Sequence, residues 1–133
     1  MSEYPTFDQA IKLESEGHYS RALKLFEILL KSNGHDKGDL LFHCGWCLEN
    51  LNSENKETIL KFYDKAAQTT TIPISRMNSY FRSGWLMMQE KDYQGANSYF
   101  HKAMAIHEEE WVDDELYHQS LYWHQRRRNL YHL

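Results

Sequence analysis

Residues 80–103, YFRSGWLMMQEKDYQGANSYFHKA, contain two helical patterns joined by a short polar connection. Gly84 lies midway along the first pattern, and Ala96 and Phe100 lie on one face of the second. Asp92 stands between them and is predicted to cap the second helix, because its carboxylate can accept a hydrogen bond from an unpaired backbone amide. Two antiparallel helices approach closely only where one of them lacks side-chain bulk. The stretch therefore predicts a helical hairpin with Gly84 at the point of contact.

The same helical hairpin unit occurs three times along the chain. The small residues Ala10, Gly45 and Gly84 are spaced by 35 and 39 residues, close to the ~34-residue period of a helix-turn-helix repeat. The longer second interval falls in loops near 52–55 and 69–73, where insertions cost little. Matching residues recur at a fixed spacing on the second helices, as the triplets Ala22/Phe26/Leu29, Ile59/Tyr63/Ala66 and Ala96/Phe100/Ala103.

This arrangement resembles the tetratricopeptide repeat family over about residues 4–108, most clearly in the third unit. In the first unit, Thr6 and Gln9 stand where the family has large apolar residues. The resemblance implies an all-α, right-handed solenoid of helix-turn-helix hairpins whose first helices line a concave face. Independently, each hairpin has an apolar face that it cannot bury alone, so the hairpins must stack. We predict one domain, 1–133, with three repeats at about 4–35, 36–72 and 73–108.

A seventh helix is predicted over residues 111–131, where it would cap the solenoid. Acidic residues lie near its start, at 108–110 and 113–115, and arginines lie near its end, at 126–128. This order of charges suits the helix dipole. Tyr122 and Leu133 fall outside its apolar sector, so its outward face is not cleanly polar.

Composition and charge describe an ordinary globular protein. Of the 133 residues, 41% are hydrophobic and 26% are charged, which argues against disorder. A formal net charge of -4 disfavours a nucleic-acid partner. The first residues lack a basic region followed by an apolar run, and no stretch reaches the ~18 apolar residues that a membrane span needs. We therefore expect a cytoplasmic protein without a membrane span.

The best candidate for a functional site is a ladder of apolar residues on the first helices. The resemblance implies that these positions point into the concave groove and bind a peptide or partner, whereas helical spacing alone favours core packing. The five rings of this ladder, at roughly 150–250 Å² each, would present on the order of 400–600 Å² if half exposed. The ladder consists of Phe7, Phe42 and Phe81, three residues before each small position, and of Ile11, Trp46 and Trp85, one residue after it.

The best-known groove chemistry of the family is a clamp of lysine and asparagine on the terminal carboxylate of a peptide. The ladder positions of this sequence hold phenylalanine, isoleucine and tryptophan instead. We therefore expect an apolar groove without that clamp.

No motif in the sequence indicates catalysis, a metal or a cofactor. Cys44 and Cys47 lie mid-helix, whereas a redox pair needs a helix N-terminus, and a zinc site needs four ligands. We expect both cysteines to be buried and inert. The eight histidines form no metalloprotease pair and are expected at the surface. There is also no phosphate loop or nucleophile elbow, so we expect no enzyme activity.

Two function hypotheses follow. The first is a non-enzymatic interaction module, either an adaptor or scaffold or a small chaperone for one client, that binds an apolar peptide or helix in the groove. Three-repeat proteins of this size, such as type III secretion translocator chaperones, look similar in organisation. The alternative is a self-association unit, a homodimer driven by the last helix through Leu116, Tyr122, Trp123 and Leu130.

Overall fold

This computed structural model describes residues 6–52 and 54–110. Within that part the chain forms six α-helices and no strand. The predicted all-α solenoid is confirmed, and the helices follow one another as helix-turn-helix pairs. They are α1 (Phe7–Ser15), α2 (Tyr19–Leu30), α3 (Lys37–Leu51), α4 (Lys56–Thr69), α5 (Pro73–Gln89) and α6 (Tyr93–Glu110).

The first hairpin begins at a capping box. Thr6 Oγ1 accepts a hydrogen bond from the Gln9 N–H at 3.1 Å, and Gln9 Oε1 accepts one from the Thr6 N–H at 2.9 Å. The two residues that depart from the repeat pattern therefore start the helix. Helix α2 ends at Leu30, where the backbone and hydroxyl of Ser32 both donate to the Leu29 carbonyl and close the last turn.

A polar staple, formed by Asp36 and Thr71, ties the start of α3 to the connection between α4 and α5. One carboxylate oxygen of Asp36 accepts from the Asp39 N–H at 2.8 Å, and the other accepts from the Thr71 N–H and hydroxyl, each at 2.9 Å. Burial alone would raise the pKa of Asp36, but these hydrogen bonds outweigh it and lower the pKa from 3.8 to about 2. The staple therefore holds its carboxylate in the charged form at neutral pH.

The predicted contact at Gly84 is confirmed. A Cβ atom on Gly84 would lie only 2.6 Å from Cε1 of Phe100, and one on Gly45 would lie 2.9 Å from Cε1 of Tyr63. Asp92 caps α6 as predicted, because its Oδ1 accepts a first-turn backbone N–H at 2.9 Å. In both later hairpins an aromatic ring of the second helix thus rests directly on the glycine of the first.

Stacking joins the hairpins into one row. Each helix packs on the next one in the chain, and α3 also contacts α5. The buried clusters cross the hairpin boundaries, since Cys44 and Cys47 of α3 belong to the cluster of the first hairpin. Leu86 of α5 belongs to the cluster of the second hairpin in the same way.

The predicted seventh helix, 111–131, lies outside the described residues. The same holds for the self-association residues Leu116, Tyr122, Trp123 and Leu130. The boundaries of the three repeats also stay a prediction. None of the described helices combines the length and the apolar character that crossing a membrane requires.

Candidate functional site

The ladder residues all lie on the first helix of a hairpin, but their exposure differs. Phe42 and Phe81 are buried, at 9% and 4% exposure. Trp46 and Trp85 are half-buried, and so are Phe7 and Ile11 of the first hairpin. The four half-buried residues are therefore the ones that a partner could reach, and binding at any of the six stays a prediction.

The expectation of half-exposed rings is wrong for Phe42 and Phe81. The Phe42 ring lies 5.7 Å from the Tyr63 ring, and the Phe81 ring lies 5.9 Å from the Phe100 ring, measured between centroids. Both phenylalanines lie about one turn before the glycine at which their hairpin closes. The ring that rests on each glycine therefore covers the phenylalanine as well.

Trp46 and Trp85 share a cationic neighbour, Arg82. The guanidinium carbon of Arg82 lies 4.9 Å from the centroid of Trp46 and 5.9 Å from that of Trp85. It also lies 5.7 Å from the centroid of Phe81. A guanidinium is attracted to an aromatic face within about 6 Å of the ring centroid. Arg82 therefore bridges one tryptophan of the second hairpin and one of the third.

Glu49 of α3 balances the charge of Arg82. Arg82 Nε donates to Glu49 Oε1 at 3.2 Å, and its Nη2 donates to Oε2. The two side chains are only 18% and 13% exposed. The Tyr63 hydroxyl donates to the same Oε1 at 2.7 Å. Burial, together with the charge of Glu49, raises the pKa of Tyr63 well above its ordinary value of 10.0, so the hydroxyl keeps its proton.

A similar pair joins the first hairpin to the second. His43 Nδ1 lies 2.8 and 3.1 Å from the two carboxylate oxygens of Glu14, and His43 Nε2 lies 3.7 Å from Asp39 Oδ1. The His43 ring stacks on Phe26 with 4.9 Å between centroids. At 14% exposure, its side chain contradicts the expectation that the histidines lie at the surface.

The two pairs occupy equivalent positions in the repeat. In each pair, the carboxylate comes from one hairpin and the basic group from the next. Sequence reasoning missed both pairs, although aligning the repeats on their small residues and comparing charges between neighbours would have revealed them. Glu14 and Glu49 lie four residues after Ala10 and Gly45, whereas His43 and Arg82 lie two residues before Gly45 and Gly84.

The cysteines are buried, as predicted. Cys44 and Cys47 are both 0% exposed and free. Burial raises the pKa of each thiol from 9.0 to about 12, with a further contribution from the carboxylate of Glu27 to Cys44 and of Glu14 to both. Neither thiol therefore ionises at neutral pH. Their place is in the packing between the first two hairpins.

The fold resembles that of known structures, although the sequence alone does not place the chain. No protein-family model matches it, and no curated protein matches it significantly. A crystal structure of PcrH in complex with the chaperone-binding region of PopD superposes with a TM-score of 0.78 at 20% identity. That match covers 92% of this chain and 88% of the other.

Two further structures of PcrH agree with this result. PcrH from Pseudomonas aeruginosa gives a TM-score of 0.75 at 20% identity, covering 90% of this chain and 86% of the other. PcrH in complex with the chaperone-binding region of PopB gives 0.70 at 22% identity, covering 84% and 85%. The chain therefore has a helical repeat fold similar to that of PcrH.

Proposed function

We propose that this protein is a tetratricopeptide-type binding module, and more narrowly a small chaperone, that holds an apolar segment of a partner protein against Trp46 and Trp85. The observation that carries this proposal is the position of the two half-buried tryptophans on either side of a hairpin boundary, each within cation–π distance of Arg82. The comparisons support it, because two of the similar structures hold the chaperone-binding region of another protein on the same fold.

Binding would depend on preformed shape and on burial of apolar anchors. Rings that are already fixed lose little conformational freedom when a partner packs on them, and tryptophan is over-represented among residues that dominate binding energy. Glu49 neutralises Arg82, so the surface favours apolar side chains over a carboxylate. Phe7 and Ile11 would extend this surface to the first hairpin. The activity is binding alone, without catalysis.

The proposal can be tested with peptides selected from a random phage-displayed library against the intact chain. We expect the selected peptides to be apolar, and Trp46→Ala or Trp85→Ala to weaken their binding about tenfold or more, which corresponds to about 1.4 kcal/mol. Circular dichroism should show unchanged helicity in both variants. The matched control is Leu51→Ala, which removes an exposed apolar side chain from the end of α3. Loss of helicity in the tryptophan variants, or equal weakening by Leu51→Ala, would contradict the proposal.

A further inference from the structure

The first hairpin carries an open cleft of about 670 Å³ between α1 and α2. Leu13 and Leu25 are half-buried and supply its apolar part. Both leucines also pack against the core cluster of the first hairpin, whose fully buried members Ala10, Ala22 and Phe26 do not line the cleft. The cleft therefore lies on a surface that the rest of the described chain leaves open. Its lining residues are Gln9, Lys12, Leu13, Glu16, Arg21, Lys24 and Leu25.

The α1 side of this cleft is equivalent to the face through which α3 and α5 pack on the preceding hairpin. In α3 and α5 this face is covered, because α2 packs on α3 and α4 packs on α5. The positions in α3 and α5 that correspond to Gln9 and Lys12 are 0 to 1% exposed. In α1 the rest of the described chain leaves the same face open, although a helix packs on it in the later repeats. Gln9 and Lys12 correspond to Cys44 and Cys47 in α3 and to Ser83 and Leu86 in α5. Leu13 corresponds to Leu48 and Met87, which pack in the clusters of their own hairpins.

The charge of the cleft is opposite to that of the whole chain. Among the described residues that line it, the cations are Lys12, Arg21 and Lys24, and the one carboxylate is Glu16, whereas the chain has a formal net charge of -4. All three cations are exposed, and none forms an ion pair within residues 6–52 and 54–110. Ile28 lies one turn beyond Leu25 and is 43% exposed. The surface thus combines an apolar strip with a positive border.

We propose that this cleft is a second interaction surface, which takes an acidic amphipathic helix of a partner protein in the place where the second helix of a preceding hairpin would stack. The leucines and Ile28 would contact the apolar face of that helix, and Lys12, Arg21 and Lys24 would pair with acidic residues on its borders. A two-fold symmetric contact with another copy would set these cations against each other, which is unfavourable. This inference concerns a surface separate from Trp46 and Trp85 and does not depend on the function proposed for them.

The probe is a designed helical peptide of about four turns, with leucines on one face and glutamates on both borders. A matched peptide carries lysines in place of the glutamates. In amide NMR spectra of the ¹⁵N-labelled full chain, the glutamate peptide should shift signals of residues 9–16 and 21–28. The lysine peptide should leave these signals in place.

Charge reversal provides the decisive comparison. Lys12→Glu with Lys24→Glu should weaken binding of the glutamate peptide about tenfold or more. The control is Lys61→Glu with Lys65→Glu, which changes the net charge equally at exposed positions of α4 and should leave the affinity within about twofold. Trp46→Ala should also bind the peptide normally, so this test can fail or succeed independently of the proposed function.

Three results would overturn the inference. The glutamate peptide could bind the Lys12→Glu, Lys24→Glu variant as tightly as the wild type. The amide signals of the chain that shift on adding this peptide could be those around Trp46 and Trp85. Sedimentation could instead show that the wild-type chain dimerises through this face, with the dimer lost in Ile28→Glu.

Discussion

Glu49 of the second hairpin and Arg82 of the third form a largely buried ion pair, and the Tyr63 hydroxyl hydrogen-bonds to the same carboxylate. The pair joins two stacked hairpins, and its guanidinium carbon also lies 4.9 Å and 5.9 Å from the ring centroids of Trp46 and Trp85. The equivalent pair at the preceding junction is Glu14 with His43. A contact between a carboxylate and a basic side chain is thus repeated at both hairpin boundaries.

Loss of the Glu49 charge should destabilise the fold. We expect Glu49→Gln to lower the free energy of unfolding by about 2–3 kcal/mol, because Arg82 then keeps a charge in a largely buried site without its partner. Urea denaturation followed by circular dichroism measures this change. The control is Glu57→Gln, whose pair with Lys61 is more than three-quarters exposed and should contribute little. Equal effects of the two substitutions would show that burial of the pair is unimportant.

The contact at Gly84 should tolerate no side chain. Gly84→Ala would place a Cβ atom 2.6 Å from the Phe100 ring, and overpacking of this kind costs about 1–3 kcal/mol. Thermal or urea denaturation measures the loss. Phe100→Leu in the Gly84→Ala background should recover part of it, since the smaller side chain leaves room for the methyl group. Strict additivity in this double-mutant cycle would rule out the contact.

Acid should weaken the polar staple. The folded pKa of Asp36 is lowered, so its carboxylate contributes stability above pH 3.8 that is lost as the pH falls towards 2. We expect Asp36→Asn to be less stable than wild type by about 1 kcal/mol at neutral pH, and to lose less stability on acidification. Denaturation curves across this range measure the difference. Exposed Asp8→Asn serves as the control and should follow the wild-type pH dependence.

The two thiols should be unreactive in the folded protein. Cys44 and Cys47 are completely buried, and their pKa values are raised to about 12. A disulfide-exchange reagent should label them only after unfolding, whereas an introduced cysteine at exposed Ser20 should react at once. Rapid labelling of the native wild type would show that the packing between the first two hairpins opens readily.

The hairpins could be predicted from the sequence because their determinants are local. Small residues at a repeated spacing and the cap at Asp92 each specify one turn or one contact. The exposure of the ladder could not be predicted in the same way. Tyr63 and Phe100 bury Phe42 and Phe81. The exposed fraction of each phenylalanine depends on how closely the helices approach at each glycine.

The pairs across the hairpin boundaries, Glu14 with His43 and Glu49 with Arg82, were missed for a different reason. Glu49 and Arg82 lie 33 residues apart, and neither residue forms part of a motif. Their contact exists only because two hairpins stack in register. The burial of His43 could not be predicted for the same reason. Its position between Glu14 and Asp39 depends on the first hairpin as well as on its own helix.

The most direct test of the central claim is a ¹⁹F NMR titration of the full chain labelled with 5-fluorotryptophan, using a peptide selected from the library. The four tryptophans, at positions 46, 85, 111 and 123, can be assigned by single Trp→Phe substitutions. We predict that the Trp46 and Trp85 signals shift together and saturate with one dissociation constant. Shifts confined to Trp111 and Trp123 would contradict the proposed binding surface.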